Sequence, residues 1–205
     1  MHPNPAFRHG ARDDVGRALL DTTLDEIGFG MIFAQTPDGP RVAHVPLLRT
    51  PAGAVQFHLA RGNALTRHLD GMTVLAVING PDGYVSPRWY ADPEQVPTWN
   101  YVALELEGRV RKLDAAALLA QITALSELHE ARVAEGEPWT MDKLPEAKSR
   151  ALQTAIVGFE LDVLVWRETL KLSQNKNAEE LDRVTIGLEK AGATGIAALM
   201  RTLGQ

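Results

Sequence analysis

Apolar residues occupy every second position in two stretches of this chain. Between Ala54 and Ala60, Val55, Phe57 and Leu59 face one side and Gln56 and His58 the other. Between Ile156 and Arg167 the odd positions Val157, Phe159, Leu161, Val163 and Val165 are all apolar. A period of two builds a strand with one buried face; wound as a helix it would scatter the same side chains around the axis. A chain with such stretches folds around a sheet.

The neighbouring segments extend that sheet. Gly28 to Ala34 and Arg41 to Arg49 are predicted strands of a hairpin, joined by the turn residues Thr36-Pro37-Asp38-Gly39-Pro40. Met72 to Ile78 reads as a buried strand, and residues 81–98 as an irregular loop rich in Pro, Gly and Asp. From Asn100, Val102, Leu104, Leu106 and Val110 point inward, while Glu105, Glu107, Arg109 and Arg111 face water. Helices are predicted over residues 13–24, with Val15, Ala18, Leu19 and Thr22 on one face, and after Asp114, with Leu118, Ile122, Leu125 and His129 as the inner stripe. A short helical turn is predicted from Asn63 to Leu69. A terminal helix opens at the capping box Asn177 to Glu180 and is broken by Gly192 and Gly195.

No βαβ alternation, G-x-G-x-x-G or phosphate loop occurs, which argues against a doubly wound nucleotide fold. The expectation is a mainly β (α+β) protein in which about six antiparallel strands close into a small barrel with peripheral helices. Residues 1–205 are read as one domain with a helical C-terminal extension over about 177–205.

Composition narrows the function. Cysteine is absent, so disulfides, thiolate metal sites and cysteine nucleophiles are excluded and a reducing cytoplasm is expected. No apolar run reaches the roughly 20 residues of a membrane span, and the N-terminus has no secretory pattern. The net charge of −5 does not suit a chain devoted to duplex DNA.

Of the 12 aromatic residues, Tyr84, Trp89, Tyr90, Trp99 and Tyr101 fall within 18 consecutive positions. Such a cluster serves a ligand wall or a subunit interface, or forms a satellite core under a long loop. At His58 to Asn63, Arg61 and Asn63 sit where a helix start would attract an anion; a surface arginine followed by a capping asparagine reads equally well. Trp166 shares the polar face of its strand with Glu160 and Asp162 and needs cover, from a helix of the same chain or from another chain. Lys171 to Lys176 is dense in donors, as a polar-ligand edge or a capping loop. His44 and His58 could face each other across adjacent strands, but no H-x-H or H-E-x-x-H spacing supports a metal site. No catalytic set emerges.

Six motifs in order resemble the PaiB-like family of FMN-binding proteins, described as negative transcriptional regulators. They are His44-Val45-Pro46, His58-Leu59-Ala60-Arg61-Gly62-Asn63, Tyr84-Val85-Ser86-Pro87-Arg88-Trp89-Tyr90, Val96-Pro97-Thr98-Trp99-Asn100-Tyr101, Ile156-Val157-Gly158-Phe159-Glu160 and Lys171-Leu172-Ser173-Gln174-Asn175-Lys176. The resemblance implies a flavin-binding split β-barrel, similar to pyridoxamine phosphate oxidases, with FMN between the two subunits of a homodimer. It implies that Arg41 to Pro46, with His44 and Val45, pass under the flavin ring and ribityl chain. His58, Leu59, Arg61 and Asn63 would meet the phosphate. Trp99 and Asn100 would come from the second subunit, as would Trp166 and Lys171; Ser173 and Gln174 continue that edge. The oxidases' basic phosphate pair falls near Asn63 and Ala64 here, so phosphate binding rests on Arg61 and Lys171.

A regulator or flavin-dependent sensor acting as a homodimer is the leading expectation. A flavin-dependent oxidoreductase and a haem-binding split barrel are the alternatives, the last without a dedicated axial residue. The dimer is also suggested by Trp89, Trp99 and Trp166, which have no evident cover in one chain. Direct DNA binding by the terminal helices is not expected, because Glu179, Glu180, Asp182 and Glu189 offset Arg183, Lys190 and Arg201.

Overall fold

The computed structural model describes residues 2–7, 14–92 and 94–203. Its strands are β1 (Phe29–Thr36), β2 (Gly39–Pro46), β3 (Leu48–Arg49), β4 (Val55–Ala60), β5 (Thr73–Val85), β6 (Thr98–Lys112) and β7 (Ile156–Lys171). Its helices are α1 (Asp14–Ile27), α2 (Ala115–Glu130), α3 (Glu146–Thr154), α4 (Ala178–Lys190) and α5 (Thr194–Leu203). The strands form an antiparallel sheet in the order β2-β1-β5-β6-β7-β4-β3. The chain divides into two compact units. Unit 1 is Met1–Thr23, Asn79–Glu105 and Arg167–Gln205, and unit 2 is Leu24–Ile78 and Leu106–Trp166.

Unit 2 carries part of every strand. β1 and β2 pair from Phe29↔Pro46 to Thr36↔Gly39, and the two-residue turn ends on Gly39 at φ +98, a conformation that favours glycine. The closed barrel expected from the sequence does not form. The sheet order is open, ending in β2 and β3. These two are consecutive in the chain, with only Leu47 between them. The Leu47 N–H still donates to the Gly28 carbonyl at 2.9 Å, one residue past the last β1–β2 pair, and Leu48–Arg49 then pair with β4. The strand predicted over Arg41 to Arg49 thus changes partner at Leu47.

The alternation in β4 holds: Val55, Phe57 and Leu59 are buried. Phe57 stands opposite Phe159, the rings stacked 5.5 Å apart. Each ring contributes roughly 2–3 kcal/mol by leaving water. In β7, Val157, Phe159 and Leu161 are buried, but the parity is lost beyond them. Leu164 and Val165 are exposed, whereas Glu168, Thr169 and Leu170 are buried in unit 1. The disruption starts beside Gly108, where a Cβ would lie 2.0 Å from the Asp162 carbonyl oxygen.

α1 begins at Asp14; Asp13 lies outside the described residues. Among its described side chains, Leu20 and Leu24 are buried. Thr22, placed on the inner face by the sequence, is exposed. Gly28 leaves the helix at φ +59, and Arg132 donates to the terminal carbonyls of Glu26 and Asp25, groups that a helix end leaves without partners. At α2 the Asp114 carboxylate accepts the Ala117 N–H at 2.8 Å, as an N-cap does. Its fully buried stripe is Leu118, Gln121 and Leu125, with Gln121 in the place expected for Ile122.

In unit 1 the α4–α5 pair packs on the end of β5. A Cβ on Gly83 would lie 2.6 Å from Leu188 and 3.1 Å from Ile196. The irregular loop expected from residue 81 therefore starts later: β5 runs on to Val85, because Gly80 and Gly83 admit neighbours that a side chain would exclude. Asn177 accepts the Glu180 N–H at 2.9 Å. The Glu180 carboxylate, however, accepts from Ala91 N–H rather than closing the box.

Candidate functional site

In unit 2 the outer face of the β1–β2 hairpin is apolar. Antiparallel partners share a face, so Phe33 lies with Val42 and Met31 with His44. β5 extends the face, with Leu75 beside Phe33 and Val77 beside Met31. Phe29 is 52% exposed, Phe33 39% and Val42 43%. Isolated exposed apolar residues are ordinary; a contiguous flat face marks a binding surface.

The predicted site residues of unit 2 do not all lie on this face. His44 is exposed on it and Pro46 is half-buried beside Phe29. Val45 and Leu59 are core residues. Arg41 is exposed at the end of the hairpin and donates to the Pro40 carbonyl at 2.9 Å. His58 faces Gly158 on β7, and His44 faces Met31 on β1, so the two imidazoles are not cross-strand partners. Burial lowers the His58 pKa, and its Nδ1 has no hydrogen-bond partner.

The helical turn expected from Asn63 to Leu69 is a chain of three-residue turns. Asn63 accepts from Leu65 N–H at 2.9 Å with its own side chain, an Asx turn that competes with helix. No helix start is present there to hold an anion. Arg61 points to the start of β7, donating to the carbonyls of Thr154 at 2.7 Å and Ile156 at 3.3 Å.

In unit 1 the aromatic cluster separates into covered and open members. Trp89, expected to lack cover, lies against the backbone of Gly187, where a Cβ would be 2.3 Å from the indole. Tyr90 is buried with the Lys176 ammonium 5.0 Å from its ring centre. Trp99 stays 53% exposed and meets Tyr84 edge-on at 6.1 Å. Trp166, the last residue of its unit 2 segment, is half-buried.

Asn100 is fully buried. Its amide donates to Ser173 Oγ at 2.9 Å and contacts the Met200 sulfur, and its oxygen accepts from Ser173. Ser173 holds φ at +63, a strained value for a residue other than glycine. Gln174 spans its own loop, accepting from Leu172 N–H and donating to the Leu170 carbonyl. Lys171 is half-buried, donates to Thr98 Oγ1 and lies 5.9 Å from the Phe7 ring centre. Burial lowers its pKa, and no carboxylate is paired with it among the described residues. A partly desolvated cation without a counter-charge suits an anionic group.

Sequence reasoning missed Lys112, which borders a cavity at the start of α2, and Gln121, which is buried on α2. The available signal was a glutamine inside the apolar stripe of a helix.

A flavin needs a flat apolar bed, polar groups at the ring edge and positive charge at its phosphate. The hairpin face with His44, the open indole of Trp99 and the uncompensated Lys171 fit those needs. FMN, when bound, supplies one- and two-electron redox chemistry through its ring.

Comparison with known proteins agrees. Residues 1–164 match the family described as "Putative FMN-binding domain". Protease synthase and sporulation protein PAI 2 of Bacillus subtilis is 30% identical over 184 residues, covering 86% of this chain and 87% of that protein. An uncharacterized protein of Aspergillus fumigatus is 30% identical over 173 residues, covering 74% of this chain and 66% of that one. Among solved structures, an FAD and heme binding protein from Mycobacterium smegmatis shares the fold at a TM-score of 0.58 and 20% identity, covering 81% of this chain and 76% of that chain. A conserved hypothetical protein from Mycobacterium tuberculosis does so at 0.59 and 13%, covering 86% and 94%. No helix among the described residues is long and apolar enough to cross a membrane. On the family match over residues 1–164 and the 30% identity to the Bacillus subtilis protein, the chain belongs to this FMN-binding family, with FMN as the family's cofactor.

Proposed function

We propose that the chain is a homodimeric flavin-dependent sensor that regulates gene expression without gripping duplex DNA itself. The observation that carries this reading is the uncovered hairpin face of Phe29, Phe33 and Val42. A stable dimer buries roughly 800 Å² on each partner, and a contiguous apolar face is what such an interface uses. FMN lies at this face beside His44 and Pro46, and a second copy brings Trp99 and Lys171. Arg61 already serves two backbone carbonyls, which leaves Lys171 as the cation assigned to the phosphate. The similarity to a protein named for protease synthase and sporulation supports a regulatory role. No acid–base pair poised for turnover stands at the face.

An FMN titration of the parent and of Phe33→Asp tests the reading. The parent is expected to retain flavin absorbance through gel filtration, and Phe33→Asp to lose both the flavin and the dimeric mass. Full flavin retention by a monomeric Phe33→Asp variant would contradict it.

A further inference from the structure

In unit 1, residues 2–7 form a strap that its own side chains fold. The Asn4 N–H donates to His2 Nδ1 at 3.1 Å, the Ala6 N–H to Asn4 Oδ1 at 3.0 Å and the Phe7 N–H to the Asn4 carbonyl at 3.2 Å. Side-chain acceptors of this kind turn the backbone locally, and Pro3 and Pro5 fix φ at two positions. The turn brings the Phe7 ring back onto the His2 imidazole, edge-on with the centres 4.7 Å apart. Phe7 is 5% exposed, which is unusual burial for a large ring so near a described chain end.

The strap is tied to β7. The His2 N–H donates to Thr169 Oγ1 at 3.1 Å, and Thr169 is itself buried. Thr169 and Lys171 are two residues apart on β7, so they project from the same face. The anchor at Thr169 therefore sets the strap on the face that carries Lys171. The Lys171 ammonium lies 5.9 Å from the Phe7 ring centre and donates to Thr98 Oγ1. An aromatic face attracts a cation without taking up a hydrogen bond. Of the three ammonium donors, one goes to Thr98 and two remain for an oxyanion. A lysine held in this way loses less side-chain freedom when an anion arrives than one moving freely in water.

We propose that Phe7 is a positioning residue for FMN: the strap of residues 2–7 holds the Lys171 ammonium in place and partly out of water, ready for the phosphate. The inference rests on the assignment of Lys171 to the FMN phosphate. Phe7 acts through Lys171, so its effect falls on FMN and spares riboflavin, which has the same ring and no phosphate.

Fluorescence titrations of FMN and riboflavin test this on the full chain and on Phe7→Leu, Thr169→Val, Lys171→Ala and the Phe7→Leu/Lys171→Ala double variant. Phe7→Leu keeps apolar bulk and removes the π face; Thr169→Val removes the acceptor that anchors the strap at nearly constant volume. Each is expected to weaken FMN roughly 3- to 10-fold, with riboflavin binding unchanged. In the Lys171→Ala background Phe7→Leu is expected to weaken FMN no further, because the two residues act as one unit. With Lys171→Ala weakening FMN, three results would each overturn the role of Phe7 and leave the phosphate assignment standing: equal losses of FMN and riboflavin, no loss of FMN in either strap variant, or an undiminished effect of Phe7→Leu in the Lys171→Ala background. Unaltered FMN binding by Lys171→Ala would overturn the phosphate assignment, and the proposal with it.

Discussion

His58 on β4 stands directly opposite Gly158 on β7, and the imidazole is partly buried with Nδ1 unpaired. The environment therefore favours the neutral ring, and burial sets its pKa below the ordinary 6.5. As pH falls through that value, the unfolded chain takes up a proton that the folded chain resists. Stability is lost toward acid, with a slope of at most about 1.4 kcal/mol per pH unit. Urea unfolding of the parent and of His58→Leu over about pH 7 to 5 checks this. The variant should lose less stability over that range, and parallel profiles would contradict the assignment.

Trp89 lies on the α4 backbone at Gly187, with no room for a Cβ. Gly187→Ala forces the indole off its seat. Overpacking of this kind costs typically about 1–3 kcal/mol. Thermal unfolding should shift down, and tryptophan emission should move to the red. An unchanged spectrum and melting temperature would show that the contact does not hold.

Lys171 is assigned to the phosphate of FMN. Lys171→Ala should weaken FMN by about 10- to 150-fold, the equivalent of roughly 1.5–3 kcal/mol for a lost charge-assisted bond, while riboflavin binding changes little. Fluorescence titrations with the two flavins decide it. A similar loss for riboflavin would move Lys171 away from the phosphate.

The terminal helices offer little to DNA. Arg183 pairs with Glu179, and Arg201 with Glu189 and Asp182, on a chain of net charge −5. A gel-shift titration at physiological salt should show no complex tighter than the non-specific range of about 10⁻⁴–10⁻⁶ M. A discrete complex at nanomolar protein that survives competitor DNA would restore direct repression.

The strands were legible wherever one face is buried and the other wet, as at Val55, Phe57 and Leu59. They misled where backbone approach replaces side-chain pattern. Asn79 to Gly83 has the composition of a turn, yet continues β5, because its glycines admit Val102 and Leu188. β7 loses its parity after Leu161, where the carbonyl of Asp162 crowds Gly108. α3 has no buried residue and so no apolar period to announce it. At the candidate site, family motifs do not carry the direction of each side chain. Asn100 looked like a ligand donor and is an internal bond to Ser173; Arg61 looked like a phosphate anchor and caps the start of β7. Such commitments depend on contacts far apart in the chain. The amide of Gln121, buried without a hydrogen-bond partner, is likewise visible only once α2 is laid on β7.

Sedimentation velocity with simultaneous protein and flavin detection tests the central claim most directly, that FMN is held by two copies of this chain. The flavin signal is predicted to travel with a boundary of twice the chain mass, at one FMN per chain. Flavin travelling with a boundary of single-chain mass, or a dimer that takes up no FMN, would contradict it.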